Sequence, residues 1–163
     1  MSILQPQIVS LLNAQVAREQ NSFQQYKAAG MWARRAGYHY AYKYLHGEAK
    51  DELHHRNRIL AYLNDFGEQA ILPSTPPPMM QYGSLSDCFA AMLDLEVDNT
   101  RALTEIIIAA RDSGDELTVR FMHKYMKWQR QAYDELLEIR QLFVEFGSDA
   151  ATLIDIDERI GKV

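Results

Sequence analysis

The stretch Leu72-Pro-Ser-Thr-Pro-Pro-Pro-Met-Met80 holds four of the five prolines of this 163-residue chain and decides how its elements are connected. Proline fixes the backbone angle φ and lacks an amide N–H, so three consecutive prolines cannot continue a helix. Ser84, followed three residues later by Asp87, resembles the start of a new helix. The sequence therefore predicts an irregular connection over residues 67–84, between two long regular segments.

Helices are predicted on both sides of this connection. Apolar side chains recur at alternating steps of four and three residues, which is typical of a helix with one buried face. The tyrosines between residues 38 and 44 alternate as in a strand, but the patterns on both sides are helical and we prefer the helix. Four glycines suit the position that follows a helix C-terminus: Gly37, Gly67, Gly114 and Gly147. The predicted helices span 7–36, 38–66, 85–112 and 115–146, with a short fifth helix at 149–160.

The lengths of the connections predict the topology. About one residue joins the first helix to the second and the third to the fourth, so each pair forms an antiparallel hairpin. The third helix, of about 28 residues, has a length of ~42 Å. The 67–84 connection can reach ~59 Å when extended, enough to run the length of the bundle. We therefore predict a single all-α domain over 1–163, a four-helix bundle with one long crossover between helices 2 and 3.

Composition argues against several classes of function. Lys and Arg total 17 against 22 Asp and Glu, a net charge of −5, and an acidic chain without a basic stripe is a poor nucleic-acid binder. No apolar run approaches the ~20 residues that cross a bilayer, and residues 1–9 do not resemble a secretory signal. The single cysteine, Cys88, cannot form an internal disulfide, which is typical of a reducing compartment. We expect a cytoplasmic protein that binds neither nucleic acid nor membrane.

Each predicted core face carries a polar residue near its middle. Glu19 and His55 lie at equal separations in sequence before and after the first hairpin turn, near residue 37. Glu96 lies at that same separation before the second turn, near residue 114, and Gln129 follows this turn at a slightly shorter one. All four helices therefore bring a polar residue to about the same height in the bundle.

The converging carboxylates predict a metal site. Ionised carboxylates in a bundle core are costly unless they are paired or bind a cation, and several at one level repel each other. Glu52 and His55 are spaced i and i+3, which places both on one helix face. Carboxylates with one imidazole suit iron, manganese or zinc. The alternative interpretation is a set of buried polar residues satisfied by hydrogen bonds.

With these residues the sequence resembles the ferritins, specifically the haem-free bacterial ones. The resemblance covers nearly the whole chain and includes Leu12-Asn-Ala-Gln15 leading to Glu19, Asp51-Glu-Leu-His-His55, Tyr62-Leu-Asn-Asp-Phe-Gly67, Tyr82-Gly-Ser-Leu-Ser-Asp87, Glu96, and Phe121-Met-His-Lys-Tyr125 leading to Gln129. It implies a homo-oligomeric cage of twenty-four subunits that stores iron. It also implies a di-iron ferroxidase centre inside each bundle that oxidises Fe(II) with O2 or H2O2.

The resemblance assigns metal-binding roles to five residues. Glu19 and His55 would bind the first iron, Glu52 would bridge the two irons, and Glu96 would bind the second. Gln129 matches a position of the fourth helix that is glutamine in such ferritins.

The resemblance also gives catalytic roles to Glu52 and to Tyr26, which matches a tyrosine beside the family's centre. The fourth helix departs from the family pattern, because Trp128 and Ala132 replace acidic residues that bind the second iron and an accessory third one. Haem is not expected, because haem-binding relatives carry methionine where this chain has Leu53. The departures predict one well-built iron site and one weakened site.

Other acidic residues near the core face receive weaker assignments. Two roles for Glu48 are equally compatible with its position: a hydrogen bond beside the centre, or a solvated position at the edge of the core face. Asp51 keeps a carboxylate where the family often has glutamate, so a contact between Asp51 and the edge of the metal centre stays a possible role. Asp134 and Glu135 are predicted to lie off the core face and are not assigned to the centre.

Two functions remain open at this point. The first is an iron-storage subunit with ferroxidase activity. The second is a structural cage or metal-binding subunit whose centre is degraded and binds one iron or none, which Ala132 favours. A di-iron oxidase acting on an organic substrate is disfavoured, because Gln129-x-x-Ala132 stands where a second Glu-x-x-His is usual.

Overall fold

The computed structural model describes residues 3–147 and 149–163, so residues 1, 2 and 148 of the predicted domain lie outside the described residues. The described chain forms five helices: α1 Pro6–Arg35, α2 His39–Asp65, α3 Leu85–Asp112, α4 Glu116–Phe146 and α5 Ala150–Ile160. The prediction of an all-α fold is confirmed, and the observed bounds differ from the predicted ones by at most one residue. No helix within the described ranges is long and apolar enough to cross a membrane.

Local side chains start the helices of the second hairpin. The Ser84 side chain accepts a hydrogen bond from the amide of Asp87 at 3.0 Å, which starts α3. The Asp115 side chain accepts one from the amide of Thr118 at 3.0 Å, which starts α4. Between these helices Gly114 adopts a φ of 74°, a left-handed conformation that residues with a Cβ atom avoid. The sequence thus sets the tight turn that makes α3 and α4 antiparallel.

The start of α2 is capped by a residue from the other end of the chain. Tyr38 offers no side-chain cap. Instead, the carboxylate of Asp157 in α5 accepts hydrogen bonds from the amides of Tyr40 and Ala41, at 3.1 and 2.7 Å. Because Asp157 is buried, these bonds fix α5 against the first hairpin, where its Ile156 and Ile160 side chains join the apolar core.

The crossover follows α1 for most of its length. Near the start of α1, the Asn13 side chain accepts a hydrogen bond from the amide of Ile71 at 2.8 Å. At the end of α1, Arg35 donates to the carbonyl of Met80 at 3.4 Å. The connection therefore spans the bundle, as its length predicted.

Hydrogen bonds between helices give their directions. Tyr26 of α1 donates to Glu96 of α3, and Asn99 of α3 donates to Ser22 of α1. Residue numbers rise on one helix as they fall on the other, so α1 and α3 are antiparallel. Because α1 and α2 also form a hairpin, α2 and α3 run parallel, which confirms the predicted topology.

The apolar core forms two clusters on either side of a polar layer. On α1 the clusters use residues 26–33 and 8–16, and on α2 they use residues 41–49 and 59–63. Fully burying a Leu or Ile side chain contributes roughly 1.5–3 kcal/mol, so the two clusters offset the cost of the layer between them. The buried polar residues of that layer are Glu19, Ser22, Glu52, Glu96, Asn99 and Gln129.

Candidate metal centre

Three side chains of ligand type meet in the polar layer, one from α1 and two from α2. The Nδ1 atom of His55 lies 3.5 Å from Oε1 of Glu52 and 3.8 Å from Oε2 of Glu19. One ligand atom of each residue lies within 4.8 Å of the other two. Glu19 and Glu52 are only 2% and 3% exposed, so bulk water does not solvate their charges. Two carboxylates and one imidazole at this spacing can bind one divalent transition-metal cation.

Burial raises the pKa of both glutamates well above its ordinary value. For Glu19 the charge of Glu52 adds to the effect of burial, and for Glu52 the charge of Glu96 does so. The carboxyls therefore tend to hold protons in the absence of a cation. A bound cation would displace these protons, because its charge stabilises both carboxylates at once.

The free oxygen of Glu52 fits a metal ligand. Glu19 has a partner for one oxygen, because Gln15 donates to its Oε1 atom at 2.7 Å. The Oε2 atom of Glu52 is buried and has no hydrogen-bond partner. Buried polar atoms in proteins are almost always paired, and an exception needs an explanation. A cation bound beside Glu52 would supply the missing partner.

Glu96 and Gln129 lie in a separate hydrogen-bond network beside these three residues. The hydroxyl of Tyr26 donates to Oε1 of Glu96 at 2.6 Å, and the Gln129 amide donates to Oε2. Gln129 also donates to the main-chain carbonyl of Glu96 at 3.2 Å. Burial raises the pKa of Glu96, and the bonds from Tyr26 and Gln129 partly lower it again. Of the five predicted metal ligands, the structure brings Glu19, Glu52 and His55 to one point. It joins the other two, Glu96 and Gln129, to each other, and Glu96 also to Tyr26.

Trp128 covers the imidazole of His55. The two rings are stacked with centroids 4.9 Å apart and planes tilted by 8°. Tyr125 donates a hydrogen bond from its hydroxyl to the main-chain carbonyl of His55 at 2.9 Å, and the Arg58 guanidinium lies over the Trp128 ring at 5.3 Å. From the sequence, Trp128 is expected only to remove a carboxylate. Its position directly before Gln129, three residues after Tyr125, was the signal that it lies beside the core face.

A hollow of about 260 Å³ opens beside the centre, where Ala132 leaves space. Its lining includes Glu48, Asp51, Glu52 and Glu135. Glu135 lines the hollow, although its place in the helical repeat predicts a position off the core face. It follows Ala132 by three residues, and residues three apart on a helix lie on the same side. Burial, followed by the charges of Glu135 and Asp51, raises the pKa of Glu48 to about 8. Glu48 is thus half-buried at the mouth of the hollow, and is not fully solvated.

Comparison with known proteins identifies the family. The family model described as a ferritin-like domain matches residues 9–143. The chain belongs to the ferritin family. A probable bacterial non-heme ferritin-like protein of Haemophilus influenzae is 24% identical over 161 residues, which cover 99% of this chain and 98% of that protein. A bacterial non-heme ferritin of Staphylococcus haemolyticus is 28% identical and covers 98% of this chain, with 87% of that ferritin matched.

Solved ferritin structures share the fold. An open-pore ferritin from the hyperthermophilic archaeon Archaeoglobus fulgidus superposes with a TM-score of 0.92 at 20% identity, covering 97% of this chain and 98% of that one. At this identity the likeness shows the fold alone. It confirms the four-helix bundle with a short C-terminal helix, and the family match confirms the resemblance to haem-free bacterial ferritins. Family and fold together support an iron-storage ferritin subunit.

Proposed function

We propose that this subunit binds Fe(II) at Glu19, Glu52 and His55, oxidises it with O2 or H2O2, and passes Fe(III) into a homo-oligomeric cage. The observation that carries the proposal is the meeting of two buried carboxylates and one imidazole within 4.8 Å. Membership of the ferritin family supports iron as the cation. The cage of twenty-four subunits and the choice of oxidant rest on resemblance to the family.

The charges of the centre favour oxidation of bound iron. Coulomb energy scales with charge and grows as the local dielectric constant falls. Carboxylates at Glu19 and Glu52, shielded from water, therefore stabilise Fe(III) more than Fe(II). His55 would bind as the neutral imidazole through one ring nitrogen, so it adds a ligand without adding positive charge.

Tyr26 is proposed to assist this chemistry through Glu96. Its pKa is raised well above the ordinary value by burial and then by the charge of Glu96. Tyr26 therefore keeps its proton at neutral pH and remains a hydrogen-bond donor to Glu96. This bond holds the Glu96 carboxylate beside Glu52, where its negative charge acts on the centre.

Exposed apolar side chains support assembly with other copies of the chain. Ile71 and Leu72 of the crossover are 52% and 71% exposed, and Met79 and Met80 are 54% and 42% exposed. Met31 of α1, beside the same segment, is 45% exposed. Apolar side chains grouped along one face are typical of a surface that another protein covers.

We also place the protein in the cytoplasm, because its single cysteine is a free thiol.

A second candidate function is a cage subunit with a degraded centre. Two observations favour it: Ala132 offers no ligand atom, and both oxygens of Glu96 already accept hydrogen bonds. Anaerobic titration with Fe(II) separates the two functions. About two ions per subunit support the ferroxidase, and one or none supports the degraded centre.

Rapid mixing of Fe(II) with O2 tests the site itself. His55→Ala and Glu52→Ala each remove a ligand, so we expect oxidation to slow by more than about tenfold, the lower range found for residues that only support a ligand. His123→Ala is the matched control, because His123 is exposed on α4. Wild-type oxidation rates in both ligand variants would contradict the proposed site.

A further inference from the structure

Glu96 of α3, which the family resemblance assigns to the second iron, is held in place by two hydrogen bonds. Tyr26 donates to one oxygen of Glu96 and Gln129 donates to the other. Glu96 is fully buried, at 0% exposure, so it does not turn toward solvent without breaking both bonds. Breaking them would leave the Tyr26 hydroxyl and the Gln129 amide without their partner, which is unfavourable for buried polar groups.

Glu52 points to a different second position. One of its oxygens, Oε1, lies near His55 at 3.5 Å, while the other, Oε2, is buried without any hydrogen-bond partner. Glu52 is only 3% exposed and lines the hollow next to Ala132. A carboxylate with one oxygen toward the first ion and one left over is arranged to bridge two cations.

The hollow offers carboxylates from both sides of Glu52. Glu48 lies one turn before Glu52 on α2, and Glu135 lies one turn after Ala132 on α4. Both line the hollow and both are half-buried. The charges that act on Glu48 are those of Glu135, Asp51 and Glu96, and all of them raise its pKa. Among the described residues that line the hollow there is no Lys or Arg to offset this negative charge.

We propose that the hollow binds a second divalent cation through Glu52 Oε2, Glu48 and Glu135, while Glu96 stays in its network with Tyr26 and Gln129. This inference rests on the proposed function, because Glu52 would join the second ion to the first. Glu135 takes the place of the carboxylate that Ala132 lacks, one turn further along α4. An all-carboxylate set suits divalent cations that prefer oxygen ligands, such as Mn(II), and it can also bind Fe(II). Its half-buried rim makes this ion the more exchangeable of the two.

Anaerobic calorimetric titration with Co²⁺, together with anomalous diffraction from Co²⁺-soaked crystals, tests the proposal. We expect the wild-type protein to bind two ions per subunit. The Glu48→Gln/Glu135→Gln double variant should bind one ion, at Glu19, Glu52 and His55. The Asp134→Asn/Glu138→Gln double variant loses the same formal charge at two exposed positions of α4, and it should still bind two ions.

Several results would overturn the proposal. They are a wild-type protein that binds one ion, a second ion on Glu96 with Tyr26 displaced, or two ions retained in the Glu48→Gln/Glu135→Gln variant. Failure of the proposed binding site gives a different result, because no ion would then bind at Glu19, Glu52 and His55, whereas loss of the second ion alone leaves that site occupied. Thermal unfolding of the metal-free variants controls for folding, and removing like charges should not lower their Tm.

Discussion

The two hairpins of the bundle use the same geometry for different chemistry. In the α1/α2 hairpin, Glu19, Glu52 and His55 place ligand atoms together, and Glu52 Oε2 is left without a hydrogen bond. In the α3/α4 hairpin, Glu96 and Gln129 stand at the same height but bond to each other. The difference shows that a polar residue at the right height is not sufficient for a metal ligand. The Glu96 carboxylate is held away from the cluster by hydrogen bonds from Tyr26 and Gln129.

The largest expected effect comes from neutralising Glu19 in the first hairpin, compared with removing the Gln129 amide in the second. Glu19→Gln removes a charged ligand, so Co²⁺ affinity should fall about 100-fold, or roughly 2.8 kcal/mol at 1.4 kcal/mol for each factor of ten. Gln129→Leu removes a donor to Glu96 and should change the affinity of the first ion less than about threefold. Calorimetry of both variants measures the difference between their Co²⁺ affinities. Equal losses of affinity would show that the two hairpins contribute equally to binding of the first ion.

An intermediate effect is expected when Trp128 is removed. Metal-binding histidines are usually oriented by a second hydrogen bond, and losing such support costs 10–100-fold in metal affinity. In this structure the ring of Trp128 stacks on the His55 imidazole, and we expect this contact to orient the imidazole. Trp128→Ala should therefore weaken Co²⁺ binding about tenfold, and Trp128→Phe should restore most of the loss. The same loss in both variants would rule out stacking as the cause.

A smaller effect is expected from Tyr26→Phe. This change removes the donor to Glu96 at 2.6 Å but no ligand of the first ion. Losing the bond should lower the free energy of unfolding by about 1–3 kcal/mol, since a buried acceptor loses its partner. Denaturant unfolding measures this loss, and calorimetry should find the first Co²⁺ bound as in the wild type. Weaker binding of the first ion would show that the hairpins are coupled.

The stability of the metal-free protein should also depend on pH. The pKa of Glu19 and of Glu52 is raised on folding, and that of Glu48 reaches about 8. An unfolded Glu has a pKa near 4.3. The folded state therefore keeps protons that the unfolded chain releases, and its stability falls as the pH rises from 5 toward 8. We expect the Tm to fall by about 2–4 °C for each kcal/mol lost.

Co²⁺ should reverse this trend, because the bound cation replaces the protons. Glu19→Gln should flatten the pH dependence of the metal-free protein, and Glu138→Gln, at an exposed position, should leave it unchanged. A Tm that rises between pH 5 and 8 without metal would contradict the raised pKa values.

The fold could be predicted from the sequence because its signals are local. The prolines at 76–78, the glycine at 114 and the Ser84 and Asp115 caps act within a few residues, and they determine where helices begin and end. The meeting of Glu19 with His55 followed from hairpin geometry alone. Each of these inferences needs only the repeat of a helix and the length of a connection.

The remaining features depend on contacts between helices. The stack of Trp128 on His55 joins α4 to α2, and the bond from Tyr26 to Glu96 joins α1 to α3. Helical periodicity gives the face on which a residue lies, but it does not give its rotamer or its partner. For the same reason Glu135, just off the predicted face, was not assigned to the hollow that it lines.

Crystals soaked anaerobically in Fe(II), with anomalous data at the iron edge, test the central claim most directly. The account predicts an iron within bonding distance of Glu19, Glu52 and His55, with Trp128 still stacked on the imidazole. An iron bound instead by Glu96 and Gln129, or no iron in the polar layer, would contradict it.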